Sequence, residues 1–116
     1  MSKGKSVLVT GASGFIGRAT TASLEKAGWD VTRALRFTEK SKDAKAIFID
    51  LTKPSTILSL ANKMRFDAIV HIGAQVGLSG ESLDEMYLPN VLSTGCLAAL
   101  SRQWNSHLLF ASTVMV

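Results

Sequence analysis

The chain is poor in the residues that hold small folds together by covalent or metal links. Its 116 residues include one cysteine, Cys96, so no internal disulfide can form. No His or Cys pair has metal-ligand spacing, which argues against a structural metal site. Cys96 lies in the apolar stretch from Leu92 to Leu100 and reads as a small buried residue rather than a nucleophile. No apolar run approaches the roughly 18 residues that would cross a bilayer. The basic start Met1-Ser2-Lys3-Gly4-Lys5 is followed only by Val7 to Val9. That is too short for the apolar part of a signal peptide, so a cytoplasmic protein with no membrane partner is expected. Prolines are only Pro54 and Pro89, and the single tyrosine is Tyr87.

What is present fits one globular domain over residues 1–116. Hydrophobic residues make up 47% and charged residues 19%, a balance that fits a globular chain and argues against disorder. The net charge of +4 is uneven, with Arg33, Arg36, Lys40, Lys42 and Lys45 close together. Such a cluster suits a nucleic acid, a phosphate-bearing cofactor or a solvated loop. It lacks interleaved aromatics, which disfavours nucleic acid.

The apolar pattern alternates between strand and helix. Strands are expected at Val7–Val9, Val31–Leu35, Ala46–Ile49, Asp67–Ile72 and His107–Ala111. Helices are expected from about Phe15 to Ala27 (with Gly28 as the stop), from Pro54 to about Met64, and from Leu83 to Trp104. Pro89 should start or kink the last of these. Loops are expected at 37–45 and 77–81. Continuous apolar strands alternating with helices imply an α/β fold, a Rossmann-type doubly wound parallel sheet of about five strands. Arg33 is awkward within it, because an unpaired guanidinium inside a parallel sheet is costly. Either one face is open there or the strand lies elsewhere.

The most informative segment is Thr10-Gly11-Ala12-Ser13-Gly14-Phe15-Ile16-Gly17, between the first strand and the first helix. Gly11 permits a tight turn, Gly14 lets the backbone approach a pyrophosphate, and Gly17 lets the helix pack near the sheet. The amides and dipole of the helix start favour an anion. Gly11, Ser13, Gly14, Phe15, Ile16 and Gly17 are therefore candidate cofactor-binding residues, and a dinucleotide is the expected ligand. There is no Gly-Lys-Ser/Thr ending, so an ATPase or GTPase loop is disfavoured.

A glycine every third residue after Thr10 resembles the extended short-chain dehydrogenase/reductase family of sugar-nucleotide epimerases, dehydratases and reductases. The resemblance covers most of the chain. Asp50-Leu51 resembles the family's acidic segment at the adenine ring; read from the residues alone, Asp50 is also a helix-capping candidate. His71-Ile72-Gly73-Ala74 resembles the segment beside the cofactor ribose, with Gly73 where alanine is more usual, and implies roles for Gly73 and Ala74. His71 itself reads as structural. Asn90-Val91-Leu92-Ser93-Thr94-Gly95 resembles the family's Asn-Val-x-Gly-Thr helix with its last pair inverted, which implies that Asn90 shapes the site. Ser112-Thr113 resembles the end of the fifth strand, which makes Thr113 the catalytic hydroxyl; judged alone, the two are equally well polar residues at a strand end. The family's Tyr-x-x-x-Lys pair is absent, since Tyr87 precedes the fifth strand and residue 91 is Val. The expectation is a dinucleotide-binding part of an enzyme, truncated before the nucleotide-sugar-binding part and inactive alone. The family also implies a homodimer contact through the Leu83–Trp104 helix.

An NAD site usually carries Asp or Glu at the end of the second strand, for the ribose 2′-hydroxyl. Leu35, Arg36 and Phe37 stand there instead. Arg36, with Arg18 or Arg33, suits a 2′-phosphate, so NADP is expected over NAD. The competing reading is a stand-alone, non-catalytic dinucleotide-binding module.

Overall fold

A computed structural model of the chain describes residues 5–12, 14–35, 46–50, 53–72 and 83–110, with only the backbone described at 83–91. In chain order the elements are β1 (Ser6–Thr10), α1 (Phe15–Lys26), β2 (Asp30–Leu35), β3 (Ala46–Phe48), α2 (Pro54–Leu58), a 3-10 turn (Ser59–Asn62), β4 (Ala68–His71), α3 (Leu83–Trp104) and β5 (His107–Phe110). The strands form one five-stranded sheet in the order β3-β2-β1-β4-β5, and every pairing is parallel. The expected loops at 37–45 and 77–81 lie outside the described residues.

Successive residues of β1 face opposite sides of the sheet, which is why Val7-Leu8-Val9 can be apolar throughout. Val7 and Val9 join Ala12, Val31, Leu35 and Val70 in a buried cluster with Leu24 of α1 and Trp29 packed against it. Leu8 belongs to the other face, with Ala34, Ile69, Ile57, Leu60, Phe66, Leu97, Leu100 and Trp104. Helix α1 thus covers one side and α2 and α3 the other, the three layers of a doubly wound Rossmann-like fold.

Both long helices end by the same device. After α1, the Trp29 N–H donates to the Leu24 carbonyl (3.0 Å) and the Gly28 N–H to that of Glu25 (3.1 Å), with Gly28 at φ 98°. After α3, the Ser106 N–H donates to Ser101 and the Asn105 N–H to Arg102, with Asn105 at φ 55°. These are Schellman turns, and each returns the chain to the amino edge of the sheet. Gly28 is therefore the stop expected from sequence. Helix α3 begins six residues before Pro89 and runs through it, so that proline does not start it.

One local expectation needed adjustment. The Pro54 helix tightens into a 3-10 turn after Leu58. There the Thr56 and Ser59 hydroxyls donate to the carbonyls of Lys53 and Thr56, and the Trp104 indole N–H donates to the Ala61 carbonyl at 3.3 Å. The hydroxyl back-bonding competes for carbonyls that a longer α-helix would use. Arg33 does lie within β2, on the face of α1. It is half-buried and its guanidinium meets Glu25 of that helix at 3.0 Å, so the strand was correctly placed and the charge is paired.

At the amino edge, Asp67 accepts the Ser6 N–H (2.8 Å), the Ser6 hydroxyl (3.2 Å) and an Arg65 N–H (3.0 Å). The Ser6 amide is the main cause that holds its carboxyl below the usual range, with Arg65 adding to it. Phe66 and Trp104 pack edge to face, with centroids 5.6 Å apart.

Candidate functional site

The strand order runs outward from β1 to β3 on one side and to β5 on the other. The reversal falls between β1 and β4, and in open parallel sheets ligands bind at the carboxyl edge at such a point. The turn leaving β1 and the chain leaving β4 therefore frame the candidate site.

Gly11 adopts φ 68°, a left-handed conformation, so a side chain there would be strained. Gly17 is required for a different reason. A Cβ built on it would lie 1.8 Å from the Gly11 carbonyl oxygen and 2.8 Å from the Ala12 Cα. Helix α1 approaches the turn too closely for any side chain at 17. Gly14 is constrained by neither: its added Cβ would make an ordinary 3.6 Å contact with the Gly11 oxygen. Its φ of −75° and ψ of 174° are open to any residue. The fold needs Gly11 and Gly17, whereas the bare backbone at Gly14 leaves room beside the helix start.

That helix start is suited to an anion. Gly14 is the N-cap, no side chain among the described residues caps it, and no acidic residue lies in the first turn. The Gly14 N–H is occupied by the Gly11 carbonyl (3.2 Å), and the Arg18 N–H closes the first helical bond to Gly14 (2.8 Å). The amides of Phe15, Ile16 and Gly17 are those that an α-helix leaves without internal acceptors. Phe15 is 87% exposed and Ile16 51%, so the apolar side chains of this turn lie outside the core.

Of the other expected site residues, Asp50 follows β3 at the same edge. Its N–H and C=O both bond the Thr56 hydroxyl (3.1 and 3.0 Å), and its carbonyl also accepts the Lys53 N–H (2.9 Å). The N-cap of α2 is Lys53, with no side-chain cap, so Asp50 does not fill the helix-capping position. Asn90 lies in α3, where only its backbone is described. Ser13, Arg36, Leu51, Gly73, Ala74 and Thr113 lie outside the described residues.

Sequence reading passed over one pair. Thr10 and His71 are register partners across β1 and β4, and both are 2% exposed. The Thr10 Oγ1 lies 2.6 Å from the His71 Nδ1 and accepts the Ile72 N–H at 3.0 Å. Burial pushes the imidazole pKa down to about 4. The ring of Phe110 packs against that of His71 at 5.4 Å. Among the described residues, no cluster of three potential metal-binding side chains occurs, and no helix is long and apolar enough to cross a membrane.

A glycine turn running into an uncapped helix, at the reversal point of a five-stranded parallel sheet, defines a Rossmann-type nucleotide fold. The chain belongs to the NAD dependent epimerase/dehydratase family, whose model matches residues 7–116. Solved structures agree. The ADP-L-glycero-D-manno-heptose-6-epimerase of Helicobacter pylori superposes with a TM-score of 0.80 at 18% identity, over 97% of this chain and 40% of that one. The UDP-glucose 4-epimerase of Bifidobacterium longum, in complex with NAD+ and UDP, gives 0.74 at 25% identity, over 94% and 37%. A short-chain dehydrogenase/reductase superfamily protein of Agrobacterium tumefaciens with bound NAD gives 0.74 at 28% identity, over 93% and 32%. This chain thus spans two fifths or less of the length of these structures. No curated protein sequence matches it significantly.

Proposed function

We propose that residues 1–116 are the dinucleotide-binding domain of an extended short-chain dehydrogenase/reductase that acts on a nucleotide sugar or a related carbonyl or hydroxyl substrate. The observation that carries this reading is the start of α1 beside Gly14, where among the described residues no side chain caps the helix and none fills the space at the glycine. A ligand that needs the space at Gly14 accounts for the missing side chain there. The pyrophosphate would lie on the amides of the Gly11–Gly17 turn, with the helix dipole and the nearby Arg18 favouring its charge. Asp50 and Leu51 would meet the adenine, and Gly73 and Ala74 the ribose. Asn90 would shape the site from α3. Thr113 would supply the catalytic hydroxyl.

When bound, the nicotinamide supplies the hydride acceptor or donor. This chain's part is to hold and orient it. With no Tyr-x-x-x-Lys pair in the sequence, the chain is expected to bind dinucleotide without turning over a sugar nucleotide. The names of the similar epimerases support a nucleotide-linked sugar as substrate. A homodimer through α3 accords with the exposed Leu92 on its surface.

NADP is the preferred cofactor in this reading, because Arg36 stands where an NAD site has a carboxylate. Paired calorimetric titrations with NADPH and NADH at equal ionic strength test it. Tighter NADPH binding, lost by about tenfold in Arg36→Ala, is the expected result for one charge-assisted phosphate contact. Tighter NADH binding would keep the domain and overturn the cofactor choice. No binding of either by the folded protein would overturn the domain's function.

A further inference from the structure

We infer that His71 is a positioning residue for the dinucleotide site: through Thr10 it holds the chain leaving β4 against the glycine turn leaving β1. The inference rests on the cofactor reading above, and begins from a cost. Two polar side chains are buried side by side at a central seam of the sheet, each 2% exposed. Burying a polar group is unfavourable unless its hydrogen bonds are met, and an apolar pair would fill the same space without that requirement. The position of the pair gives it a use. Thr10 is the last residue of β1 and immediately precedes Gly11; His71 is the last residue of β4.

The Thr10 hydroxyl links the end of β1 to the end of β4 by two contacts. Its oxygen accepts the N–H of Ile72 (3.0 Å), the first residue beyond β4. The strand ladder between β1 and β4 ends at the Thr10–His71 pair, so this bond extends the pairing one residue past the strand. A threonine hydroxyl can rotate about its χ1 bond, and the same Oγ1 could turn away from Ile72. The His71 Nδ1, 2.6 Å away, fixes it. A neutral imidazole has one donor and one acceptor nitrogen, and a hydroxyl can donate and accept together, so the two groups are complementary. Phe110 of β5 packs on the ring at 5.4 Å and limits its own rotation. The chain of restraint therefore runs Phe110, His71, Thr10, Ile72, across the reversal point where the cofactor is proposed to lie.

The test compares the wild-type protein with His71→Phe, which keeps an aromatic ring without Nδ1, and His71→Asn, which restores a polar atom near that position. Thr10→Val and Thr10→Ser form the matching pair on β1. Two readouts are taken: exchange of the Ile72 amide hydrogen by NMR, and the Kd for the dinucleotide that the wild type binds more tightly. In His71→Phe and Thr10→Val, Ile72 exchange is expected to quicken and Kd to rise, each about tenfold, the size of one lost neutral hydrogen bond. His71→Asn and Thr10→Ser should recover most of both. Combining His71→Phe with Thr10→Val should add little to either alone, as for residues in one network.

If the wild type binds dinucleotide and His71→Phe binds equally well with Ile72 still protected, the positioning role is wrong. If the wild type binds none, the cofactor reading fails, and the positioning role with it. If His71→Phe does not fold, the isosteric Thr10→Val decides, together with the ring 15N shifts of His71. Those shifts should move when the Thr10 hydroxyl is removed; unchanged shifts would show that the two groups are not coupled, and overturn the inference.

Discussion

The two edges of the sheet are built on different principles. At the amino edge, polar groups are paired and apolar groups enclosed. Asp67 receives Ser6 and Arg65, the Ser106 hydroxyl donates to the Phe66 carbonyl, and Phe66 and Trp104 plug the gap beneath α3. At the carboxyl edge the large apolar side chains face outward: Phe15 is 87% exposed, Phe110 50% and Phe48 44%. Among the described residues, no side chain caps the helix start there. Among the described residues, one edge is closed by ion pairing and packed aromatic rings, while the other presents exposed rings beside a helix start, an arrangement suited to a binding surface.

The comparison is broken most severely at the closed edge. Trp104→Ala should cost about 3–5 kcal/mol of stability, as for a large aromatic removed from a core. It should leave the dinucleotide affinity of the folded fraction unchanged. Urea unfolding with a parallel titration checks both. Gly17→Ala is the exception that sharpens the contrast, because it lies at the open edge yet serves the fold. Its methyl group would sit 1.8 Å from a backbone oxygen, and overpacking against backbone should cost about 3 kcal/mol. Equal urea midpoints for Gly17→Ala and wild type would show that α1 can shift freely.

His71 gives a pH signature to the same edge. Its folded pKa, about 4, lies below the ordinary 6.5. The unfolded chain therefore binds a proton that the folded one refuses as pH falls between these values. Stability contributed by this group is unchanged above 6.5 and is lost progressively from there down to about 4. Denaturation midpoints measured from pH 7.5 to 4.5 should fall, and His71→Phe should flatten that part of the curve. Smallest of all is the effect of Gly14→Ala on stability. With an ordinary 3.6 Å contact awaiting the methyl group, the change should stay within about 0.5 kcal/mol. Dinucleotide binding should nevertheless weaken at least tenfold. A variant that binds normally would show that the space at Gly14 serves no ligand.

Much of this was legible in the sequence because it depends on local pattern. The glycine spacing, the Gly28 stop and the apolar strands each state their structure within a few residues. The backbone reasons expected for Gly11 and Gly17 are met in the turn angle and the helix contact. What was not legible depends on which residues lie opposite each other. Arg33 reads as a misplaced charge until α1 is laid across β2 and brings Glu25 to it. Thr10 and His71 are 61 residues apart, and only the register of β1 with β4 makes them neighbours. The bond from Trp104 to the Ala61 carbonyl likewise comes from a distant helix.

The central place of β1 has a kinetic meaning. The chain builds outward from it through β2 and β3, then must come back to the same strand to add β4. The first pairing closes a short loop, whereas the second brings together residues separated by 61 positions, and long closures are slower and entropically costlier. The seam at which β1 meets β4 is thus expected to form after the β1–β2 pairing. A ligand held there would meet a nearly finished protein. It would slow unfolding rather than guide folding, acting as a seal on the completed sheet.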